Sequence, residues 1–393
     1  MTTASEIKGR SLAQTLAVQS QIHLPGTVGR LLKQIRDLER VAPLFVKAGM
    51  VRVIERPNPL DLRVSGIATR AVTQKTIGGH LYVAAANRVD LTIEHNAIST
   101  AGQDSTCEID DINYESQNKR LQLINIRQAY EMADAALKSG NRLDLILLDS
   151  PLLLNRDMVP MKSDPSQANY RKAFDDAVQA ISSFWAAHRE SLFPWDPHGP
   201  SVVGLASERY GAIVHIAQQD LRTREGRRQI LQTEEINAEL FEELIGSDEA
   251  ILGIGERRFV HGMLGAFTRT ATFRMNIQTP EMEPKDLAKV GVLGFHFKAA
   301  QNSSPLLLQF MGDEPQWARA NIDRLAGQVM AITALGGRKA LPLPVQLAAR
   351  EQRALDQFIE YYARSVKDQI RRREVEDLWL SDIDEFSAEG IGE

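Results

Sequence analysis

The chain has 393 residues, with ordinary apolar (43%) and charged (25%) fractions and a formal net charge of −5 at pH 7. This length allows a large core and two structural units, and the composition is that of a globular protein. The single cysteine, Cys107, excludes an intramolecular disulfide and a cysteine-based zinc cluster, and it suits a reducing cytoplasm. No apolar run approaches the roughly 18 residues of a membrane span, so we expect no membrane association and a cytoplasmic location. The acidic balance does not indicate nucleic-acid binding, although local patches matter more than totals.

Residues 1–50 are predicted to form a helical arm. Leu31, Leu32, Ile35 and Leu38 recur at helical spacing. Pro25-Gly26 is expected to break this segment. Residues 51–78 contain two prolines and a glycine near their centre, which indicates an irregular connection.

The next stretch favours strands. His80 to Glu94 predicts one or two strands, because apolar residues alternate with polar ones toward its end. Asp104 to Asn118 is polar and is expected to be a loop.

Residues 127–154 form the segment that carries the chemistry. They predict a helix containing Arg127 and Glu131, a polar break, and a buried strand that ends at Asp149. If the helix packs against the strand, Glu131 and Asp149 converge, and two carboxylates are a minimal site for a hard divalent cation. The alternative is that Asp149 caps the following turn and that Glu131 is a solvated partner of Arg127.

The remaining elements indicate an α/β protein. A helix over 168–192 and a short strand at Ser201–Ala206 suggest parallel pairing with the preceding strand, because the crossover is long. Residues 290–297 and 305–310 predict an antiparallel pair of strands, followed by a helix over 316–335. A long final helix is expected from about Val345 to about Arg373, and residues 374–393 form an acidic tail.

Several common enzyme classes lack support. The chain has no phosphate-loop lysine motif, and Gly253-Ile-Gly255 lacks the third glycine of a dinucleotide fingerprint. No Gly-x-Ser-x-Gly elbow supports a serine hydrolase. The motifs therefore do not point to an ATPase, a dinucleotide-dependent enzyme or a serine hydrolase.

The order of motifs from about residue 80 to about residue 373 resembles the NurA family of DNA-end-processing nucleases. None of these motifs is specific alone, and their order along the chain carries the resemblance. They are Arg127-x-x-x-Glu131, Leu148-Asp149-Ser150-Pro151-Leu152, Val202-Val203-Gly204, Gly294-Phe295-His296-Phe297, Pro315-Gln316-Trp317, and Pro344-x-x-Leu347 followed by Arg350-Glu351.

The resemblance implies a ribonuclease-H-like mixed sheet flanked by helices, with an N-terminal helical arm (1–50), a nuclease domain (51–373) and an acidic tail (374–393). It implies a metal-dependent DNA nuclease that uses Mn²⁺ or Mg²⁺ and acts on DNA ends or single strands in repair or antiviral defence. Its implied partners are a HerA-type hexameric ATPase and a second copy of the chain. The residues expected to hold the metal and catalyse hydrolysis are Asp90, Glu131, Asp149 and Glu351, and those expected to contact DNA are Arg209 and Arg350.

Two positions depart from the family pattern. Glu351 stands where the family has histidine, although a carboxylate also binds Mn²⁺ or Mg²⁺. The family's first acid would fall near Ala86-Asn87-Arg88, which contains no acid, and a shifted alignment uses Asp90 instead. If Asp90 is not the equivalent residue, the site lacks a ligand. The alternative function is then a catalytically degenerate adaptor of the ATPase.

Overall fold

The computed structural model describes most of the chain between residues 11 and 373. The described residues are 11–76, 78–152, 154, 158–161, 164–206, 234–237, 244, 247–275, 291–312, 316–337 and 341–373.

Eight α-helices and ten strands lie within the described residues. The helices are α1 (Leu12–Lys47), α2 (Gln117–Lys138), α3 (Ala168–His188), α4 (Asp248–Ile254), α5 (Glu256–Met263), α6 (Arg319–Leu335), α7 (Leu343–Glu351) and α8 (Ala354–Arg371). The strands are β1 (Val51–Val53), β2 (Leu62–Thr76), β3 (Gly79–Glu94), β4 (Ala97–Ile112), β5 (Leu145–Leu148), β6 (Ser201–Ala206), β7 (Thr268–Thr270), β8 (Phe273–Arg274), β9 (Val292–Lys298) and β10 (Leu306–Met311).

All ten strands belong to one mixed sheet. Nine of them follow the order β1-β7-β9-β10-β6-β5-β2-β3-β4, and β8 pairs with β9. Strands β2, β3 and β4 form an antiparallel meander, whereas β5 lies parallel to both β2 and β6. This mixed sheet with flanking helices confirms the predicted ribonuclease-H-like fold class.

Strands β2 and β4 correct the sequence prediction. Residues 51–78 were expected to be irregular, yet they contain β1 and the 15-residue strand β2 at the centre of the sheet. The expected loop at 104–118 is wrong for its first half, because β4 runs to Ile112. Most of β4 is exposed at the edge of the sheet, so its polar sequence reflects solvent contact rather than a loop.

The two faces of the sheet have separate apolar cores. On one face, α2 and α3 cover β5 and β6 with Ile146, Leu148 and Val202 in the core between them. On the other face, α6 and α7 cover the same strands and β9–β10, with Leu145 and Leu147 pointing to that side. The end of β5 is therefore enclosed between helices of both layers. The predicted pairings of β5 with β6 and of β9 with β10 are confirmed.

The two terminal helices differ from their predictions in continuity. Helix α1 continues through Pro25, so the expected break is wrong; the position is exposed, and water can satisfy the carbonyl that proline leaves without a donor. The single long helix expected after Val345 is two helices, α7 and α8. They separate at Gln352, whose side-chain Nε2 donates to the carbonyl of Ala68 at 2.7 Å and holds the junction on β2.

Candidate active site at the end of strand β5

Asp149 lies where β5 ends in the middle of the sheet. Its backbone N–H donates to the carbonyl of Ile67 at 2.9 Å, which extends the parallel ladder one residue past Leu148. Ala68 is consequently the β2 residue beside it. The carboxyl end of a parallel strand in an α/β sheet is a usual place for functional groups.

Burial raises the pKa of the Asp149 carboxyl from its ordinary value of 3.8 to about 6. The physical cause is loss of hydration, which disfavours the charged form. At pH 7 the carboxyl is mostly ionised, yet it releases and accepts a proton close to neutral pH. That is the property required of a general base.

Helix α2 is attached to the segment that follows Asp149. The Tyr130 hydroxyl donates to the carbonyl of Leu152, three residues beyond Asp149. Glu131 is the next residue of α2 and lines the groove between α2 and α3, where Arg127 Nε lies 3.8 Å from its Oε1.

The pKa of Glu131 is also raised. Burial contributes most, and the negative charges of Glu108 and Asp176 add to it, whereas Arg127 acts in the opposite direction. Glu131 and Asp149 thus both have a carboxyl with a raised pKa. Carboxyls perturbed in this way concentrate at functional sites. However, the groove beside Glu131 is lined by residues of α2 and α3, and Asp149 is not among them.

The α7–α8 junction approaches the same part of β2 from the opposite face. Gly66 lets α7 lie directly on the strand, because a Cβ there would stand 2.5 Å from backbone atoms of Pro344 and Val345. Arg350 and Glu351, the last two residues of α7, are exposed beside the Gln352–Ala68 hydrogen bond. Asp149 is thus flanked by α2 on one side of the sheet and by this junction on the other.

Asp90 lies elsewhere. Asp90 is a residue of β3 and pairs with Ser65 of β2, three residues along β2 from Ala68, the neighbour of Asp149. With two strand spacings between β5 and β3, the Cα atoms of Asp90 and Asp149 are about 14 Å apart. The side chain of Asp90 is buried, and its Oδ2 lies 3.4 Å from Nε of Arg88. The structure therefore shows Asp90 as the partner of a buried arginine and does not bring it to Asp149.

Two residues at the junction were missed by sequence analysis. Arg70 of β2 forms two hydrogen bonds with the Asp356 carboxylate, at 2.6 and 2.9 Å, and Gln352 anchors the junction. Arg70 was overlooked because its segment was predicted to be irregular. Arg209, predicted to contact DNA, lies outside the described residues.

A two-metal centre does not fit the residues that the structure describes. Within them, no group of three or more histidine, cysteine, aspartate or glutamate side chains could hold a metal ion. Strand β2, the neighbour of Asp149, contains no carboxylate from Leu62 to Thr76. Two divalent cations need several carboxylates around them, and the described residues do not provide that set.

Comparisons with known proteins show which solved structures share this fold. No protein-family model and no curated protein matches the sequence. Among solved structures, the NurA nuclease from Sulfolobus solfataricus aligns with 89% of this chain and 97% of its own, at 12% identity and a TM-score of 0.54. A structure of NurA aligns at 10% identity over 91% and 99%, with a TM-score of 0.45, and NurA with manganese at 10% over 90% and 98%, with a TM-score of 0.41.

The first of these alignments defines the fold as NurA-like. At this level of identity, it establishes the fold alone. In the described residues, no helix combines the length and apolarity that crossing a bilayer requires.

Proposed function

We propose that this protein is a DNA nuclease of the NurA type that acts in the cytoplasm on DNA ends or single strands. The observation that carries the proposal is the NurA-like fold, which extends over 89% of the chain and 97% of the solved nuclease. The two carboxyls with raised pKa support it, because both belong to the motifs on which the sequence resemblance rests.

Asp149 is the proposed proton acceptor. Hydrolysis of a phosphodiester requires removal of a proton from the attacking water, and a partly buried carboxyl with a pKa near 6 is suited to this task at neutral pH. Glu131 is the proposed second carboxyl, on the side of α2. Exposed Arg350 is the proposed phosphate contact, since arginine binds phosphate oxygens in a forked geometry. Glu351 remains a predicted site residue, as does Arg209.

Mn²⁺ or Mg²⁺ dependence remains a prediction from the resemblance. A metal would polarise the phosphate and activate water, but the described residues do not form its ligand set, so the steps above are assigned to protein groups alone. A HerA-type ATPase partner and a homodimer are likewise proposed from the resemblance. Co-purification with such an ATPase and light scattering of the isolated protein measure them directly.

A second candidate is an adaptor that binds DNA or the ATPase without cleaving. The specific observation in its favour is the absence of a carboxylate on β2 beside Asp149. This position is where a neighbouring strand would contribute a ligand to a shared cation.

Cleavage assays separate the two candidates. Labelled single-stranded and blunt duplex DNA are incubated with the protein over a titration of Mn²⁺ and Mg²⁺, with EDTA as the control. The nuclease proposal predicts cleavage by the purified chain. Retained DNA binding with no cleavage at millimolar cation would establish the adaptor instead. Absence of both DNA binding and cleavage would overturn the nuclease and leave only an adaptor that binds the ATPase.

A further inference from the structure

Helix α8 carries an exposed aromatic surface. Tyr361 is 69% exposed and Phe358 36% exposed, although the opposite side of the helix packs Ile359 and Ala363 against β3. The rings of Phe358 and Tyr362 lie parallel, with centroids 6.1 Å apart and an interplanar angle of 12°. Tyr362 is partly buried against the same core as Ile359 and Ala363. Because residues three and four apart are neighbours on a helix, the exposed rings of Phe358 and Tyr361 lie side by side, with the open part of Tyr362 next to them.

The same helix is locally basic in an acidic protein. Residues 350–373 contain seven arginine and lysine residues against four acidic ones, whereas the whole chain has a net charge of −5. Arg364 lies one turn beyond Tyr361 on α8, and its side chain is 80% exposed. Its Nη2 lies 4.0 Å from Oε2 of Glu360. Of the four acids, Asp356 is already engaged by Arg70.

Helix α8 also begins beside the candidate active site. Gln352 and Asp356 bind Ala68 and Arg70 of β2, and Asp149 binds the neighbouring Ile67. From there α8 extends along β2 and β3 toward Val72 and Leu81. A polymer lying along α8 would therefore reach the end of β5.

We infer that the α8 surface, defined by Phe358, Tyr361, Tyr362 and Arg364, binds single-stranded DNA and leads it toward Asp149. The inference rests on the proposed function, since it assumes that DNA is the substrate. Exposed rings stack on unpaired bases, and nearby cations follow the phosphates. A duplex conceals its base faces, so this chemistry selects a single strand.

The experiment measures binding of fluorescein-labelled oligothymidine by anisotropy with the full chain. The oligonucleotide has phosphorothioate linkages, which resist nucleases, and the buffer contains EDTA, so that cleavage does not interfere. Loss of a base-stacking ring costs about 1–3 kcal/mol, which corresponds to about a fivefold or greater rise in Kd. Tyr361→Ala is expected to show this rise, whereas Tyr361→Phe keeps the ring and binds like wild type. Leu252→Ala is the matched control, because Leu252 is a 59% exposed apolar residue on the remote helix α4.

Arg364→Ala tests the electrostatic part of the same surface. Each phosphate contact contributes about 0.7 to the slope of log Kd against log salt for a single strand, so this variant is expected to lower the slope by about that amount. Its control is Lys138→Ala, which removes a 67% exposed cation that is paired with Asp134 four residues earlier on α2.

Four results would overturn the inference in distinguishable ways. If Tyr361→Ala binds DNA with wild-type affinity, the α8 surface is not a DNA-binding surface, and the nuclease proposal is unaffected. If Tyr361→Ala loses equal affinity for duplex and single-stranded DNA, the surface does not select a single strand. If Tyr361→Ala keeps its DNA affinity but no longer self-associates in light scattering, the patch binds a second copy of the chain instead of DNA. No DNA binding by the wild type removes the proposed function, and this inference with it.

Discussion

Asp149, at the end of β5, is partly buried, and Asp90, on β3, is fully buried in the same sheet. The two carboxyls differ in whether a cation lies beside them. Asp90 has a buried arginine beside it on the same strand, at 3.4 Å. Asp149 has no such cation among the causes that set its pKa, and burial alone raises that pKa to about 6. The negative charge of Asp90 is thus balanced by a neighbouring cation, whereas the unbalanced carboxyl of Asp149 is the one available for chemistry.

Asp149→Asn is expected to have the largest effect on activity. Removing a general base costs about 10²–10⁴-fold in rate, and single-turnover cleavage of single-stranded DNA measures it. Asp175 is an exposed acid on α3, so Asp175→Asn is the control and is expected to retain the wild-type rate.

The same Asp149→Asn variant is expected to be more stable than wild type at pH 7. The folded-state pKa is raised, so the carboxyl favours folding below about pH 4 and this contribution is lost as pH rises toward 6. Asparagine has no charge to bury, which adds about 1–3 kcal/mol at pH 7. Urea unfolding at pH 7 measures this gain, and a loss of stability instead would show that Asp149 is structural.

Asp90→Asn is expected to destabilise the fold by about 3 kcal/mol, because the buried Arg88 charge loses its nearer acid and keeps only the half-exposed Asp104, 4.0 Å away. Cleavage per folded molecule stays at the wild-type level. Replacing both residues with apolar ones, as Arg88→Met with Asp90→Leu, recovers stability. An Asp90→Asn protein of normal stability but without cleavage would instead make Asp90 a site residue.

Glu131→Gln is expected to lower the cleavage rate by about tenfold, since a half-exposed carboxyl contributes less than a buried one. Its stability changes by less than about 0.5 kcal/mol, as for other exposed pairs. Glu190→Gln, which alters an exposed acid beside Arg189, is the matched control. A rate equal to wild type would leave Glu131 as no more than a partner of Arg127.

Gly66→Ala is expected to cost about 1–3 kcal/mol of stability without altering a group that takes part in cleavage, because a Cβ would push α7 away from β2. Gly29→Ala on α1 is the control, since open space surrounds that position and alanine favours a helix. Thermal unfolding of both variants gives the comparison. Equal stability of the two would show that α7 does not depend on this close approach.

The sequence was informative where burial imposes a pattern. Strands β5, β6, β9 and β10 are short apolar runs, and each was predicted correctly. Strand β2 was missed because Arg70 and Lys75 interrupt its pattern and prolines precede it, and β4 was missed because an exposed edge strand is polar.

The candidate site was partly predictable for a similar reason. Asp149 and Glu131 follow from a strand that ends on an acid and from a helical motif. The pairing of Arg88 with Asp90 also had a signal, since residues two apart share one face of a strand. The Gln352–Ala68 contact joins residues 284 positions apart, and no local pattern reveals it.

The most direct test of the central claim is the pH dependence of single-turnover cleavage by the wild-type protein between pH 5 and 8. If the ionised Asp149 carboxyl accepts the proton of the attacking water, the rate rises about tenfold per pH unit below 6 and levels off above it. A rate that stays constant from pH 5 to 7 would contradict the assignment of Asp149 as the base.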